Sequence, residues 1–460
     1  MVTLIKTVYS LGLSNALMFM LYKAMINSFV AKLIFRKGKK RILKQFYCPV
    51  SKIQGHHSDK RIFNQAESIV KGNFLFFSFR EVYMGMPPNW FMNPFKKNIT
   101  FLNFDLLCTN LDDFNNSFGD IKNVWEISRF NWLGTLAIAY SISRKQKYLE
   151  TINHLVSDWV AKNPENRGPN WKCGQEAAIR SINLILANEI IENHKISINL
   201  KYILEIHMRR IEKTFYYAKA QQNNHGLCEA IGVFLINAFL NKMERKNCAK
   251  KEKKWKKIIE DQVNKLIMDD GCFSQYSVVY HRMVLDLFSV LELLRKKWKL
   301  ESFSEKFYKK INVAYLWYSS MVDLNSGDAP NFGNNDGTYL FNYTNMEYRD
   351  FRPSMSLMAS VFNISIAPEL FKNHPLIGIF NIKKPPLHVL DLKSKDYRQG
   401  GQIKLISNDN ILFFRIPQFK FRPAHSDALH IDIWKSGINW IKDAGTFSYA
   451  VDEDILDQFS

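Results

Sequence analysis

No two of the six cysteines are spaced as CxxC, and they do not cluster into a dense framework. Cys48, Cys108, Cys173, Cys228, Cys248 and Cys272 are scattered along the chain, which argues against a disulfide scaffold and against a thiolate metal cluster. Long apolar runs are also missing. The N-terminal stretch is unbroken only from Ala16 to Tyr22, and Lys23 and Lys32 interrupt its continuation. A membrane span needs about 20 apolar residues, so no transmembrane span is predicted. The segment reads instead as an amphipathic helix packed on the main body. One early lysine and the lack of a small-x-small cleavage site leave little basis for a signal peptide. There is no repeat of fixed period, which disfavours a regular solenoid. No known nucleic-acid-binding motif is present, so a nucleic-acid partner is not expected.

What the chain has in excess is positive charge. A formal net charge of +20 favours a polyanionic partner through long-range attraction. The clumped runs at Arg36–Lys44 and Lys250–Lys257 read as solvated faces or helix ends, so basicity alone names no partner. Aromatic residues make up 14% of the chain, enough to fill a core and still leave rings to stack on sugars.

Apolar residues recur at three- and four-residue spacing in Val124–Ile142, Tyr148–Val160, Glu176–Ile191, Tyr202–Ala220, Glu229–Leu240 and Val278–Lys296. Consecutive helices of this kind predict antiparallel hairpins in a bundle or toroid. After Pro385-Pro386 the texture changes. Gly400–Lys404, Ile411–Ile416, Leu429–Trp434 and Ile438–Ile441 are short, β-branched or aromatic, and divided by turn residues. The reading is a multidomain α and β protein: a helical or irregular region over 1–119, a helical domain over 120–385, and a β domain over 386–460. So few strands predict an unfinished sheet with an exposed edge or apolar face.

Three clusters carry chemistry. Gln222-Asn223-Asn224-His225-Gly226 precedes an apolar helix containing Glu229, placing an amide and an imidazole at the positive end of a helix dipole. Simple capping by asparagine explains the same residues. Gln275-Tyr276-Ser277-Val278-Val279-Tyr280-His281-Arg282 opens another helix; by adjacency, His281 and Arg282 are expected to ease ionisation of the Tyr280 phenol, unless Tyr280 is only half-buried packing. In the segment running from Pro423 through His425 and His430 to Asp443, His425 and Asp443 have the chemistry of zinc ligands, but two ligands make no structural site.

Taken in order, NNHGLCEAIGVFL, QYSVVYHRMVLDL and AHSDALHIDIW…DAGTFSY resemble the motifs of heparinase II/III-like polysaccharide lyases. WEISRFNWLGTLAIAY, NWKCGQEAAIRSINL and PNFGNNDG fit the same pattern. The resemblance implies an incomplete α/α toroid followed by an antiparallel β-sandwich, truncated here, with an acidic polysaccharide between them. It implies β-elimination at a uronate, with Asn224 and His225 neutralising the carboxylate and Tyr280 acting as base. Arg282, Glu229, Trp125 and Arg129 are the implied substrate-binding residues. His425 and Asp443 match zinc ligands, while Pro423 stands where relatives carry a histidine and a third ligand is missing. The implied location is the periplasm or cell envelope of a bacterium, with the cytoplasm as the alternative. A non-catalytic glycan-binding or assembly protein of an envelope-polysaccharide pathway is the competing function.

Overall fold

The computed structural model describes residues 12–38, 43–50, 60–96, 99–101, 105–112, 114–115, 119–245, 249–343, 346–389, 393–416, 425 and 427–446. Pro423 lies outside them. The chain begins with helices α1 (Leu13–Ile26), α2 (Phe29–Ile34) and α3 (Lys60–Val70), followed by three small antiparallel pairs: β1 (Asn73–Phe76) with β2 (Arg80–Tyr83), β3 (Met92–Asn93) with β4 (Ile99–Thr100), and β5 (Phe114–Asn115) with β6 (Gly119–Asp120). Next come α4 (Lys122–Ser128), α5 (Asn131–Ser143), α6 (Gln146–Lys162), α7 (Gly174–Ile191) and α8 (Ile198–Ala220). The helical part ends with α9 (Asn224–Glu244), α10 (Ala249–Leu266), α11 (Val278–Lys297), α12 (Glu305–Met321), α13 (Arg352–Phe362) and the short α14 (Pro375–Ile379).

Packing sorts these helices into two rings. α5, α7, α9, α11 and α13 touch one another in turn and form an inner ring; α6, α8, α10 and α12 lie outside. Composition explains the division. Every residue of α7 is buried, and α9 and α11 are nearly so, because their apolar residues run round the whole helix. The outer α10 instead buries one stripe, Trp255, Ile259, Val263 and Leu266, and turns most of the lysines of the 250–257 run outward. α9 is long and apolar enough to cross a membrane, yet it is packed inside the ring between α7, α8, α10 and α11. This is an incomplete α/α toroid.

Because successive helices are antiparallel, all inner helices point the same way. Their N-termini gather at one end of the toroid, where the dipole ends create a positive field. The expected helix 124–142 is broken in two at Phe130, which takes a left-handed conformation at φ 67°. Caps at Ser197 and Asn223 start two helices at Ile198 and Asn224, ahead of the expected Tyr202 and Glu229, whereas the Ser277 cap starts α11 at Val278 as expected.

The C-terminal strands β7 (Lys395–Tyr397), β8 (Gln402–Ser407), β9 (Asn410–Arg415), β10 (Ile431–Lys435) and β11 (Ile438–Ile441) form a 5-stranded antiparallel sheet in the order β11-β10-β9-β8-β7. Alternation assigns its faces. Gln402, Lys404, Phe413, Arg415 and Trp434 are buried, several of them against the toroid: Lys404 Nζ donates to the Ser320 carbonyl, and Arg415 Nη2 to that of Tyr276. Leu405, Ile431 and Ile438 are exposed, the kind of apolar face that a second sheet covers in a sandwich.

Candidate active site

At the positive end of the toroid lies an open cleft of about 960 Å³. α7 gives it Gly174, with Cys173 just before the helix, and α9 gives it His225 and Glu229. α4 adds Lys122 and Trp125, α8 adds Arg210, and α1 and α2 close one side with Tyr22, Lys23 and Lys32. His225 and Glu229 share one helix face, four residues apart. Trp125 is fixed as a wall because its indole N–H donates to the Pro169 carbonyl at 2.8 Å. Gly174 leaves room for Glu229: a Cβ there would meet Glu229 Oε1 at 2.7 Å.

The start of α9 is held from three sides. Asn223 Oδ1 accepts from the His225 backbone N–H at 3.0 Å. Asn224 is buried; its Nδ2 donates to Gln175 Oε1 at 2.8 Å and lies 3.3 Å from Met283 Sδ, while its backbone N–H donates to Gln275 Oε1 at 3.0 Å. Gln275 and Met283 bracket Tyr280, so the Asn224 and Tyr280 segments are locked together although far apart in the chain.

Tyr280 itself does not line the cleft. Its hydroxyl donates to Asp336 Oδ2 at 2.8 Å, and Lys122 Nζ lies 3.3 Å from the same oxygen on the cleft side. Burial opposes ionisation of Asp336, but Lys122, the Thr338 hydroxyl, Arg129 and Tyr280 outweigh it and hold the carboxyl down at about 2. Asp336 sits on the 331–337 loop. Gly333 lets this loop approach α11, since a Cβ would lie 2.6 Å from the Tyr276 carbonyl oxygen. The sheet anchors the same loop: Gly333 N–H donates to Asp427 Oδ2 at 2.8 Å and Asn331 Nδ2 to the Asp443 carbonyl at 3.3 Å. The sequence reading missed Asp336 and Lys122. Asp336 stands in the quoted PNFGNNDG stretch, where a turn-rich loop was the visible signal; a single lysine gives none.

Glu229 is the most perturbed acid in the cleft. Burial, with Cys173 adding to it, pushes its carboxyl up to about 8, and His225 and Arg210 only partly counter this. Glu229 Oε2 is buried without a hydrogen-bond partner. At neutral pH the side chain is therefore a neutral carboxyl that can donate toward a bound anion. A raised folded pKa means that folding favours the protonated form, so this stability is present at low pH and is lost as pH rises from about 4.5 through about 8. Glu229→Gln should therefore be more stable than the parent above pH 8 by a few kcal/mol. The difference should fade below about pH 4.5, which melts across a pH series will check. Cys173 Sγ lies 3.7 Å from His225 Nδ1, but burial pushes its thiol up to about 11, so it is no thiolate nucleophile at neutral pH.

Two expected substrate contacts are corrected. Arg129 is buried with its guanidinium committed: Nε and Nη2 each donate to Glu176 at 2.9 Å and Nη1 to Glu126 at 2.7 Å. It ties α4 to α7 beneath the cleft and reaches no ligand. Arg282 is fully buried on the far side of α11, where it donates to the Tyr348 and Thr338 carbonyls and sits 4.3–4.7 Å from the ring centroids of Tyr339, Phe351 and Tyr348. Its guanidinium is thus engaged by these carbonyls and rings. His281 is uncharged at neutral pH: burial pushes it down to about 3, and Nε2 takes part in a hydrogen bond with the Ala314 carbonyl.

His425 Nε2 and Asp443 Oδ1 are 2.9 Å apart, so the expected metal pair does meet. Among the described residues no group of three His, Cys, Asp or Glu side chains could hold a metal. The pair alone does not fill a zinc site, and no chemistry is assigned to metal here.

Residues 24–353 match the family model described as Heparinase II/III N-terminus. The chain belongs to this family. No curated protein matches the sequence. Solved structures with the same fold include a heparinase III at 14% identity and TM-score 0.59, covering 95% of this chain and 66% of that one. Another heparinase III gene product has 16% identity, TM-score 0.53 and coverage of 95% and 65%. A heparan sulfate lyase mutant from Pedobacter heparinus has 18% identity, TM-score 0.49 and coverage of 95% and 63%. The chain thus spans just under two thirds of the length of these heparinase structures.

Proposed function

We propose that this heparinase II/III family protein is a polysaccharide lyase that cleaves a uronate-containing acidic glycan by β-elimination. The observation that carries the reading is the meeting of two distant segments at the positive end of the toroid. Asn224 and His225 start one inner helix, Tyr280 starts the next, and Asp336 with Lys122 links the phenol to the cleft.

The reaction removes the C5 proton of a uronate and expels the C4 oxygen. Its barrier is set largely by the negative charge of the sugar carboxylate, which resists a second charge at C5. In this reading His225 and the neutral Glu229 receive that carboxylate among the helix N-termini, Lys122 adds its charge, and Asn224, whose Nδ2 is taken by Gln175 and Met283, holds the helix start in place. Trp125 offers a flat face to a sugar ring. For elimination the phenol must reach the sugar past the Asp336–Lys122 pair. Its phenolate, formed by loss of the hydroxyl proton to water, then takes the C5 proton and passes it to the departing C4 oxygen. Asp336, held ionised, is too weak a base to accept the hydroxyl proton for long, so its part is to aim the phenol. Asp336→Asn should lower kcat by about ten- to a hundredfold with a smaller change in KM. It should also move the pH–rate profile, because a carboxylate that opposes phenolate formation is gone. An unchanged profile would leave Asp336 with a merely structural role.

One observation favours the non-catalytic reading: the Tyr280 hydroxyl is engaged by Asp336, while Arg282 and the uncharged His281, next to it in sequence, face elsewhere. Screening acidic glycans for ultraviolet absorbance of an unsaturated uronate separates the two. Product supports the lyase; tight binding without product supports a glycan-binding or assembly protein.

A further inference from the structure

The N-terminal helices carry a surface that the cleft chemistry does not use. α1 is anchored on α8 by Tyr22, whose ring stacks on Tyr217 with centroids 3.9 Å apart. At 100° per residue, buried Asn15 and half-buried Tyr22, Met25 and Ile26 fall on one side of α1. Leu13, Leu17, Met20 and Leu21 fall within an arc of about 100° on the opposite side, and they are 79%, 56%, 56% and 55% exposed. α2 extends the apolar face with Phe29, Val30 and Leu33, at 71%, 48% and 50%. Apolar residues so concentrated at a surface mark an interaction site.

The charge around this face points to its occupant. Before Asp59 the chain contains ten Lys and Arg residues and no Asp or Glu. Lys23, Lys32 and Arg36 are exposed on α1, α2 and just beyond, and Lys37 pairs with Asp105. A purely apolar protein partner would not call for a basic fringe on the same helices. An anionic bilayer calls for both features, since leucine and phenylalanine insert among the acyl chains while lysine and arginine meet the headgroups.

We propose that α1 and α2 form a docking surface for an anionic lipid membrane, lying in the plane of the interface. The 14 residues of α1 make a helix about 21 Å long, short of the roughly 30 Å hydrocarbon core, so it lies on the bilayer rather than crossing it. Docking places the cleft rim, with Lys23 and Lys32, beside the lipid surface.

Co-sedimentation of the 460-residue chain with vesicles tests this. Binding is expected to vesicles of phosphatidylcholine mixed with phosphatidylglycerol, to be much weaker with phosphatidylcholine alone, and to fall as salt is raised. Leu17→Glu combined with Leu21→Glu should weaken binding by about tenfold or more without altering the melting temperature. The lipid and salt dependence of the unaltered chain is decisive even if that variant folds poorly. Failure to bind anionic vesicles, or equal binding by a folded double variant, overturns the proposal. A concentration-dependent dimer that the double variant abolishes, with no vesicle binding, assigns the face to a second copy of the chain instead. None of these outcomes depends on lyase activity.

Discussion

Tyr280→Phe should reduce β-elimination by about a thousandfold or more while leaving glycan affinity within a factor of a few. The substitution removes one oxygen and keeps the ring. It leaves Asp336 with Lys122 and Thr338, so the 331–337 loop keeps most of its anchors. The carboxylate-binding end of α9 is untouched, because Asn224 is held by Gln175, Gln275 and the Met283 sulfur, not by the phenol. The effect belongs in kcat, since a group that acts only as the proton moves contributes little to the ground-state complex. Initial rates of unsaturated-product formation, beside glycan affinity by calorimetry, separate these quantities. Full activity in the Tyr280→Phe variant would remove this residue from the mechanism.

The second large effect is on stability. Arg129→Ala should cost about 3–5 kcal/mol, because it strands two buried carboxylates, Glu126 and Glu176, that now share one guanidinium. Burial already pushes the Glu126 carboxyl up, with Arg129 opposing it. Without the arginine, both acids would take up protons or admit water, and α4 would lose its tie to α7. A triple variant, Arg129→Met with Glu126→Gln and Glu176→Gln, should recover much of the loss, since the penalty comes from unpaired charge. Denaturant melts of the single and triple variants test this. A loss below about 1 kcal/mol for Arg129→Ala would mean that the ion-pair network is solvated and contributes little.

Much of this arrangement was legible in the sequence, and the failures have identifiable causes. Apolar periodicity predicted consecutive antiparallel helices in a bundle or toroid, and the motif resemblance implied the toroid. His225 and Glu229, four residues apart, share the α9 face that meets the cleft. The same rule, applied to Tyr280, would have rejected Arg282: two residues along a helix is about 200° of turn, and the guanidinium points to the far side of α11. Met283, three residues on, is the one that meets Asn224. Arg129 looked like a substrate cation because only one of its two carboxylate partners is near in sequence; Glu176 lies on another helix. Lys122 and Asp336 were beyond reach for the same reason, because tertiary folding alone brings them to Tyr280. Glu229 gave no hint of its neutral state, which arises from burial that no local pattern shows.

The central claim, that this cleft performs elimination, is tested most directly by incubating the chain with a panel of uronate-containing glycans and weighing the products. Elimination predicts fragments whose masses sum to that of the parent chain, one end of each cut carrying an unsaturated uronate that absorbs in the ultraviolet, with the signal lost in Tyr280→Phe. Fragments that have gained water, or glycans that bind tightly at this cleft and are recovered whole, would contradict it.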